Sequence, residues 1–225
     1  MTLSIAVGER RALLGANGAG KTTLFNVIAG DLRPSTGAIR MFGQDVTRLP
    51  THRRIRLGMR RTYQTSLVFA GLTVRECLFL AVRGIGAGRF SLGRVDASPD
   101  MRAADRIAER VGLQAMRHVK AGELSHGEAR QLELGMVTAG EPRLLLLDEP
   151  AAGLSLVERH RLLALLRELP RSLTLVLIEH DMEVALQAVE RVTMMHNGAL
   201  VADGTPAEIA ADPRVHDIYM GKHGG

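Results

Sequence analysis

Residues 15–22 read Gly-Ala-Asn-Gly-Ala-Gly-Lys-Thr, a full match to the pattern G-x-x-x-x-G-K-[ST], and no other stretch constrains this chain as strongly. Such a loop needs a strand leading in and a helix leading out. Ala12-Leu13-Leu14 supplies the first, and Thr22 to Ala29, with Leu24, Phe25 and Ile28 at helical spacing, supplies the second. Glycines at 15, 18 and 20 let backbone N–H groups converge on phosphate oxygens that a side chain would obstruct. Lys21 is placed to reach the β- and γ-phosphates, the Thr22 hydroxyl suits Mg²⁺, and the helix N-terminus adds the positive end of its dipole. The pattern predicts a nucleoside triphosphate site, with Gly15, Asn17, Gly18, Gly20, Lys21, Thr22 and Thr23 as candidate contacts.

Strand and helix signals alternate along the rest of the chain, which points to an α/β fold with a mainly parallel sheet. Candidate strands are Leu3–Val7, Arg11–Leu14, Ile39–Phe42, Leu144–Leu147, Thr174–Ile178, Val192–Met195 and Leu200–Ala202. The last two flank Asn197-Gly198, a dipeptide that favours a tight hairpin. Between about residues 71 and 140 the texture changes. Leu72–Val82, Asp100–Val111 and Gly127–Thr138 read as helices without intervening strands, and a Gly-, Ser- and Arg-rich loop runs from Gly84 to Ser98. The expected organisation is one domain over 1–225, with a nucleotide-binding core (1–70 and 141–225) and a helical insert (about 71–140).

Two further motifs carry chemistry. Leu144-Leu145-Leu146-Leu147-Asp148-Glu149-Pro150 is an apolar strand that ends in two carboxylates. Open parallel sheets bind ligands at the carboxyl ends of their strands, so both acids are expected beside the phosphates. Asp148 suits a direct or water-mediated Mg²⁺ contact, and Glu149 suits polarising an attacking water. Pro150 stops the strand. Leu124-Ser125-His126-Gly127-Glu128 opens a predicted helix as a capping box, with Ser125 the N-cap and Glu128 reaching back.

With these motifs in hand, the chain resembles the ATP-binding subunit of an ABC transporter. The phosphate loop, the signature at Leu124–Glu128 and the acidic strand occur in that family's order. Gln64 stands at the glutamine-loop position and His180, in Ile178-Glu179-His180-Asp181, at the switch-histidine position. Ser125 precedes Asp148 by 23 residues and Glu149 precedes His180 by 31. The resemblance implies an ABC-type P-loop NTPase fold: a mainly parallel sheet core, a partial antiparallel β-subdomain and an inserted helical subdomain. It implies ATP and Mg²⁺ as cofactors, with Thr22, Gln64 and Asp148 around the metal and Glu149, His180 and Gln64 in hydrolysis. Ser125 and Gly127 would contact the γ-phosphate held by a second ATPase subunit, identical or paralogous, in a head-to-tail dimer.

The tail (Gly204-Thr205-Pro206-Ala207-Glu208-Ile209, Asp212-Pro213-Arg214-Val215, Tyr219-Met220-Gly221), the signature Ser-His-Gly-Glu and the loop Ala151-Ala152-Gly153-Leu154-Ser155 are similar to the branched-chain amino acid importer branch and its urea or amide relatives. The lipopolysaccharide-export branch shares much of the tail but has Asp where this chain has Ser155. The 14 residues before Gly15 hold no aromatic to stack on adenine, and Phe25 is the first. Either the start site is placed late, or the chain binds nucleotide without that stack; in the second case weak ATP affinity and little discrimination among purine nucleotides are expected.

Composition narrows the partners. The longest run lacking a charged residue or His is the 13 residues Thr62 to Val74. That is short of the ~18–20 a bilayer requires, so the permease is expected as separate chains, with this subunit cytoplasmic and peripheral on the membrane's inner face. Glu9, Arg10 and Arg11 argue against a secretory leader, and the lone Cys77 reads as a reduced core residue. The net charge of +5 points weakly to an acidic partner. The run His52-Arg53-Arg54-Ile55-Arg56, continuing to Arg60-Arg61, reads as a solvated helix face, and no aromatic interleaves with it, so no nucleic acid is expected. A soluble ABC ATPase outside transport, a small-molecule P-loop kinase and a regulatory subunit without turnover fit the motifs less well. A kinase leaves Ser125–Glu128, Gln64 and His180 unexplained, and Glu149 argues against lost turnover.

Overall fold

The computed structural model describes residues 1–63, 68–84 and 98–220. Gln64, nearly all of the loop expected between Gly84 and Ser98, and Gly221 of the tail lie outside the described residues. In chain order the elements are β1 (Arg10–Leu14), α1 (Lys21–Ala29), β2 (Arg40–Met41), β3 (Gln44–Asp45), α2 (Thr51–Arg56), β4 (Met59–Arg61), α3 (Val74–Arg83), α4 (Pro99–Arg110), α5 (His126–Thr138), β5 (Leu144–Asp148), α6 (Leu156–Glu168), β6 (Thr174–Ile178), α7 (Met182–Ala188), β7 (Arg191–His196), β8 (Ala199–Gly204), α8 (Pro206–Ala211) and α9 (Pro213–Met220). They fall into two compact units. One comprises Met1–Arg61, Arg143–Pro150 and the chain from Leu166 onward; the other comprises Thr62–Pro142 and Ala151–Leu165. Among the described residues, no helix is long and apolar enough to cross a membrane.

The first unit is built on a six-stranded sheet in the order β4-β5-β6-β1-β7-β8. All neighbours are parallel except β7 and β8, which form the hairpin expected at Asn197-Gly198. Both turn residues have positive φ (48° and 76°), which Asn and Gly accommodate most easily. The four leucines of β5 are buried, which suits a strand hydrogen-bonded on both sides and covered on both faces. Leu13, Phe25, Ala29, Met59, Leu146 and Val176 share a core that seats α1 against the sheet. A small hairpin, β2–β3, turns through Phe42 and Gly43, both at positive φ.

Two expectations are corrected here. Leu3–Val7 forms no strand: Leu3 and Ile5 pack partly buried against the core, but the segment joins neither sheet. An alternating pattern makes a segment amphipathic, whereas a strand also needs a ladder partner. The basic run is not a uniformly solvated face either. His52, Arg53 and Arg56 are exposed, but Arg54 is completely buried. Its guanidinium donates to the carbonyls of Val27 and Ile28 (both 2.7 Å), Leu49 (2.9 Å) and Thr47 (3.3 Å). Val27 and Ile28 lie in the last turn of α1, where carbonyls have no helical partner, so Arg54 caps that helix from the side. Burial lowers its pKa, with nearby Asp31 opposing the shift.

The second unit is helical. α3 begins at a capping box, with Thr73 accepting from the Glu76 amide while Glu76 accepts from the Thr73 amide. Val74, Cys77, Leu78, Met101, Ile107, Val111 and Leu132 form its core across α3, α4 and α5.

Candidate functional site

The phosphate loop occupies residues 15–20 between β1 and α1, at the carboxyl end of a buried strand. Gly15 has φ 152°, and a Cβ there would lie 2.2 Å from the Met195 carbonyl and 3.0 Å from Ala19 Cβ, so no other residue fits. The Ala19 amide donates back to Ala16 (3.1 Å), and the Gly198 amide donates to the Ala19 carbonyl (3.0 Å). The β7–β8 hairpin thus braces the loop, a contact for which the sequence offers no signal. Lys21 is buried and folds across the loop, donating to the carbonyls of Gly15 (2.6 Å) and Ala16 (3.1 Å).

The start of α1 differs from those of α3, α5 and α8. Its N-cap is Gly20, left-handed at φ 97°, with no side-chain cap and no acid in the first turn. By contrast α3, α5 and α8 each carry a complete capping box. A helix start without capping side chains presents its amides to an incoming anion. Thr22 and Thr23 are exposed at this end, and so is Asn17 in the loop. Phe25 is fully buried in the core and is unavailable to stack on a base.

β5, β6 and β1 are adjacent, so their carboxyl ends lie side by side. Asp148, paired in register with Ile178, ends β5 and is 5% exposed. Its Oδ2 accepts from Arg61 (3.1 Å), the last residue of β4, a group the motifs do not reveal. Glu149 follows with φ 47°, and its amide donates to Ile178 O (3.0 Å). A left-handed non-glycine residue costs about 1–2 kcal/mol, and such strain gathers at functional positions. The turn leaves the Glu149 side chain partly open, with Oε2 3.7 Å from Nδ1 of exposed His180 at the end of β6. The first unit therefore gathers Lys21, Thr22, Asp148, Glu149 and His180 around one edge of the sheet. Hard oxygens on Thr22 and Asp148 fit Mg²⁺, which usually takes one or two protein ligands and completes its shell with phosphate and water.

The Ser125 cluster belongs to the second unit. Ser125 Oγ accepts from the Glu128 amide (3.3 Å), and Glu128 Oε2 accepts from the Ser125 amide (2.8 Å), the expected capping box. Glu158 of α6 joins this helix start to its own: Oε1 accepts from the Gly127 amide (3.1 Å), and Oε2 accepts from the Ser155 amide (2.8 Å) and hydroxyl (2.7 Å). Hydrogen bonds from Ser155 first, then from Gly127, and the nearby His126 hold the Glu158 pKa below its ordinary value. His126 Nε2 lies 3.1 Å from Ala152 O. Gln64 lies outside the described residues.

Comparison with known proteins agrees with this arrangement. The family described as ABC transporter matches residues 1–152, and one described as branched-chain amino acid ATP-binding cassette transporter matches residues 199–224. The chain is 36% identical to the high-affinity branched-chain amino acid transport ATP-binding protein BraF of Pseudomonas aeruginosa, over 98% of this chain and 91% of that one. It is 34% identical to the lipopolysaccharide export system ATP-binding protein LptB of Acidithiobacillus ferridurans, over 98% and 89%. Among solved structures, an ATP-binding cassette of an ABC transporter in its ADP conformation superposes with a TM-score of 0.84 at 28% identity, covering 97% of this chain and 90% of that one.

Proposed function

The chain belongs to the ABC transporter ATP-binding family, and on that premise we propose that it is the ATPase of a branched-chain amino acid importer, working through separate permease chains. The observation that carries this reading is the convergence of the phosphate loop, Asp148, Glu149 and His180 at the carboxyl ends of β1, β5 and β6. The match of the tail supports the branched-chain branch. So does Ser155, which stands where the export branch has Asp.

The chemistry divides among named groups. Nucleotide phosphates take the amides of the loop and of the α1 start, and Lys21 exchanges its carbonyl partners at Gly15 and Ala16 for phosphate oxygens. Thr22 and Asp148 would hold Mg²⁺, which would supply neutralisation of the phosphate charge. Glu149 orients the attacking water and accepts its proton, and His180 holds Glu149 and the γ-phosphate in line. The resemblance assigns Gln64 to sensing the metal and the water and to coupling hydrolysis to the permease. Ser125 and Gly127 act across a head-to-tail dimer on the γ-phosphate bound by the partner. The chain works on the cytoplasmic face of the membrane.

Steady-state hydrolysis by the wild type and by Glu149→Gln tests the ATPase reading. The substitution should slow turnover by about 10²–10⁴-fold and leave an ATP-dependent dimer visible by size-exclusion chromatography. Turnover within twofold of wild type would remove Glu149 from the reaction. For the solute, proteoliposomes holding the chain with its co-purifying permease should take up leucine, isoleucine or valine when ATP is supplied. Uptake of urea alone, or of none of these, would overturn the assignment.

A further inference from the structure

Arg61 closes β4 beside Asp148, and nothing in the phosphate-loop or acidic-strand motifs accounts for it. Its side chain is 6% exposed. One guanidinium nitrogen donates to Asp148 Oδ2 (3.1 Å), and the other donates to Asn26 Oδ1 (2.7 Å) and Asp31 Oδ2 (2.9 Å). The guanidinium also lies over the Phe25 ring, 5.7 Å from its centroid. One planar group therefore ties together the end of β5, the middle of α1 and the turn that follows α1.

The two ends of this strut are not arbitrary. Asn26 lies four residues after Thr22, on the same face of α1. Asp148 and Thr22 are two of the oxygen ligands assigned above to Mg²⁺, so Arg61 connects the strand bearing one to the helix face bearing the other. A rigid fork that spans two acceptors suits this task, whereas a lysine ammonium offers only a point charge. The two carboxylates also differ in setting. The Asp31 side chain is 33% exposed and water screens it, while that of Asp148 is 7% exposed, so its ion pair with Arg61 is largely shielded from solvent.

We propose that Arg61 is a positioning residue: it fixes the Asp148 carboxylate relative to Thr22 and thereby sets how tightly the nucleotide site takes Mg²⁺. The inference rests on the ATPase reading and deepens it. Groups that orient a metal ligand typically change metal affinity by 10–100-fold when removed. Arg61 makes no contact with nucleotide in this assignment, so cation-free nucleotide binding should be insensitive to it.

The test is Mg²⁺ titration of the binding of fluorescent methylanthraniloyl-ADP to the full chain, with parallel binding in EDTA. Variants are Arg61→Met, Arg61→Lys, Asp148→Asn and the double substitution Arg61→Met/Asp148→Asn. Arg61→Met should raise the Mg²⁺ midpoint about tenfold while leaving the EDTA affinity within twofold, and Arg61→Lys should raise it less. In the Asp148→Asn background, Arg61→Met should add nothing further, because the group it positions is already altered. An unchanged midpoint in a folded Arg61→Met, or an equal shift with and without Asp148, overturns the proposal. If Arg61→Met fails to fold, Arg61→Lys and Asn26→Ala carry the same comparison. A wild type that binds no nucleotide would instead refute the ATPase reading itself, and one whose binding ignores Mg²⁺ would refute the assignment of the cation to Thr22 and Asp148.

Discussion

Replacing Arg54 with Met should be among the most damaging single changes in the first unit, although nearby Arg53 and Arg56 are exposed. Methionine matches the aliphatic stem and is expected to pack where the stem packs, so the loss is mainly of hydrogen bonds. The contacts to Val27 and Ile28 are both 2.7 Å, and those carbonyls sit in the last turn of α1. Charged hydrogen bonds contribute about 1.5–3 kcal/mol each, and acceptors left buried without a donor cost a similar amount. Two strong contacts and two weaker ones suggest about 5 kcal/mol, from which removing a desolvated cation returns about 2 kcal/mol, leaving a net loss of about 3 kcal/mol. Arg53→Met, one position away and exposed, should stay within about 0.5 kcal/mol. Urea unfolding followed by far-ultraviolet circular dichroism measures both, since the chain has no Trp. Equal midpoints for the two variants would refute the capping role and restore the reading of a solvated basic face.

Gly15→Ala should abolish nucleotide binding, because its Cβ would overlap the Met195 carbonyl at 2.2 Å; Gly18→Ala meets no protein atom within 4 Å, so the nucleotide-free fold should lose only about 1 kcal/mol through its positive φ while nucleotide affinity falls, as thermal melts and calorimetric titration would show. The Glu158 pKa is held low in the folded state, so its stabilisation is complete above the unfolded-state value and is lost as pH falls through the folded one. Acid titration of stability should accordingly fall more steeply in the wild type than in Glu158→Gln; parallel curves would exclude the carboxylate as a joint between the two helix starts. Burial pushes the Cys77 thiol above its ordinary pKa, so it should react with a thiol reagent at least 100-fold more slowly folded than in urea, as absorbance of the released chromophore would report.

The sequence exposes those parts of the molecule whose chemistry needs fixed residues at fixed spacing. The phosphate loop, the acid pair after four leucines, the Ser125–Glu128 capping box and the Asn-Gly hairpin fall in this class, because local geometry alone demands them. What it hides depends on partners distant along the chain. β4 is three residues long and ends in two arginines, so neither alternation nor apolarity marks it, and only pairing with Leu144–Leu146 makes it a strand. The burial of Arg54 among exposed arginines has no periodic signature, because it is set by α1 ending above it. Arg61 likewise reads as another basic residue until Asp148, 87 positions later, is brought beside it. In the other direction, Leu3–Val7 shows how a strand-like pattern without a ladder yields only a partly packed irregular segment.

The bare start of α1 has a thermodynamic consequence. Where α3, α5 and α8 complete their first turns with their own Ser or Thr and Glu, α1 waits for an anion to do it. The chain thus leaves a piece of its own fold unfinished, in the helix on which Lys21, Thr22 and the brace through Arg61 all depend. A ligand that binds only the folded form at 100 times its dissociation constant adds about 2.7 kcal/mol to stability. Persistence of the folded chain is therefore coupled to nucleotide supply: depletion of ATP and ADP idles the ATPase and also lowers its barrier against unfolding and proteolysis.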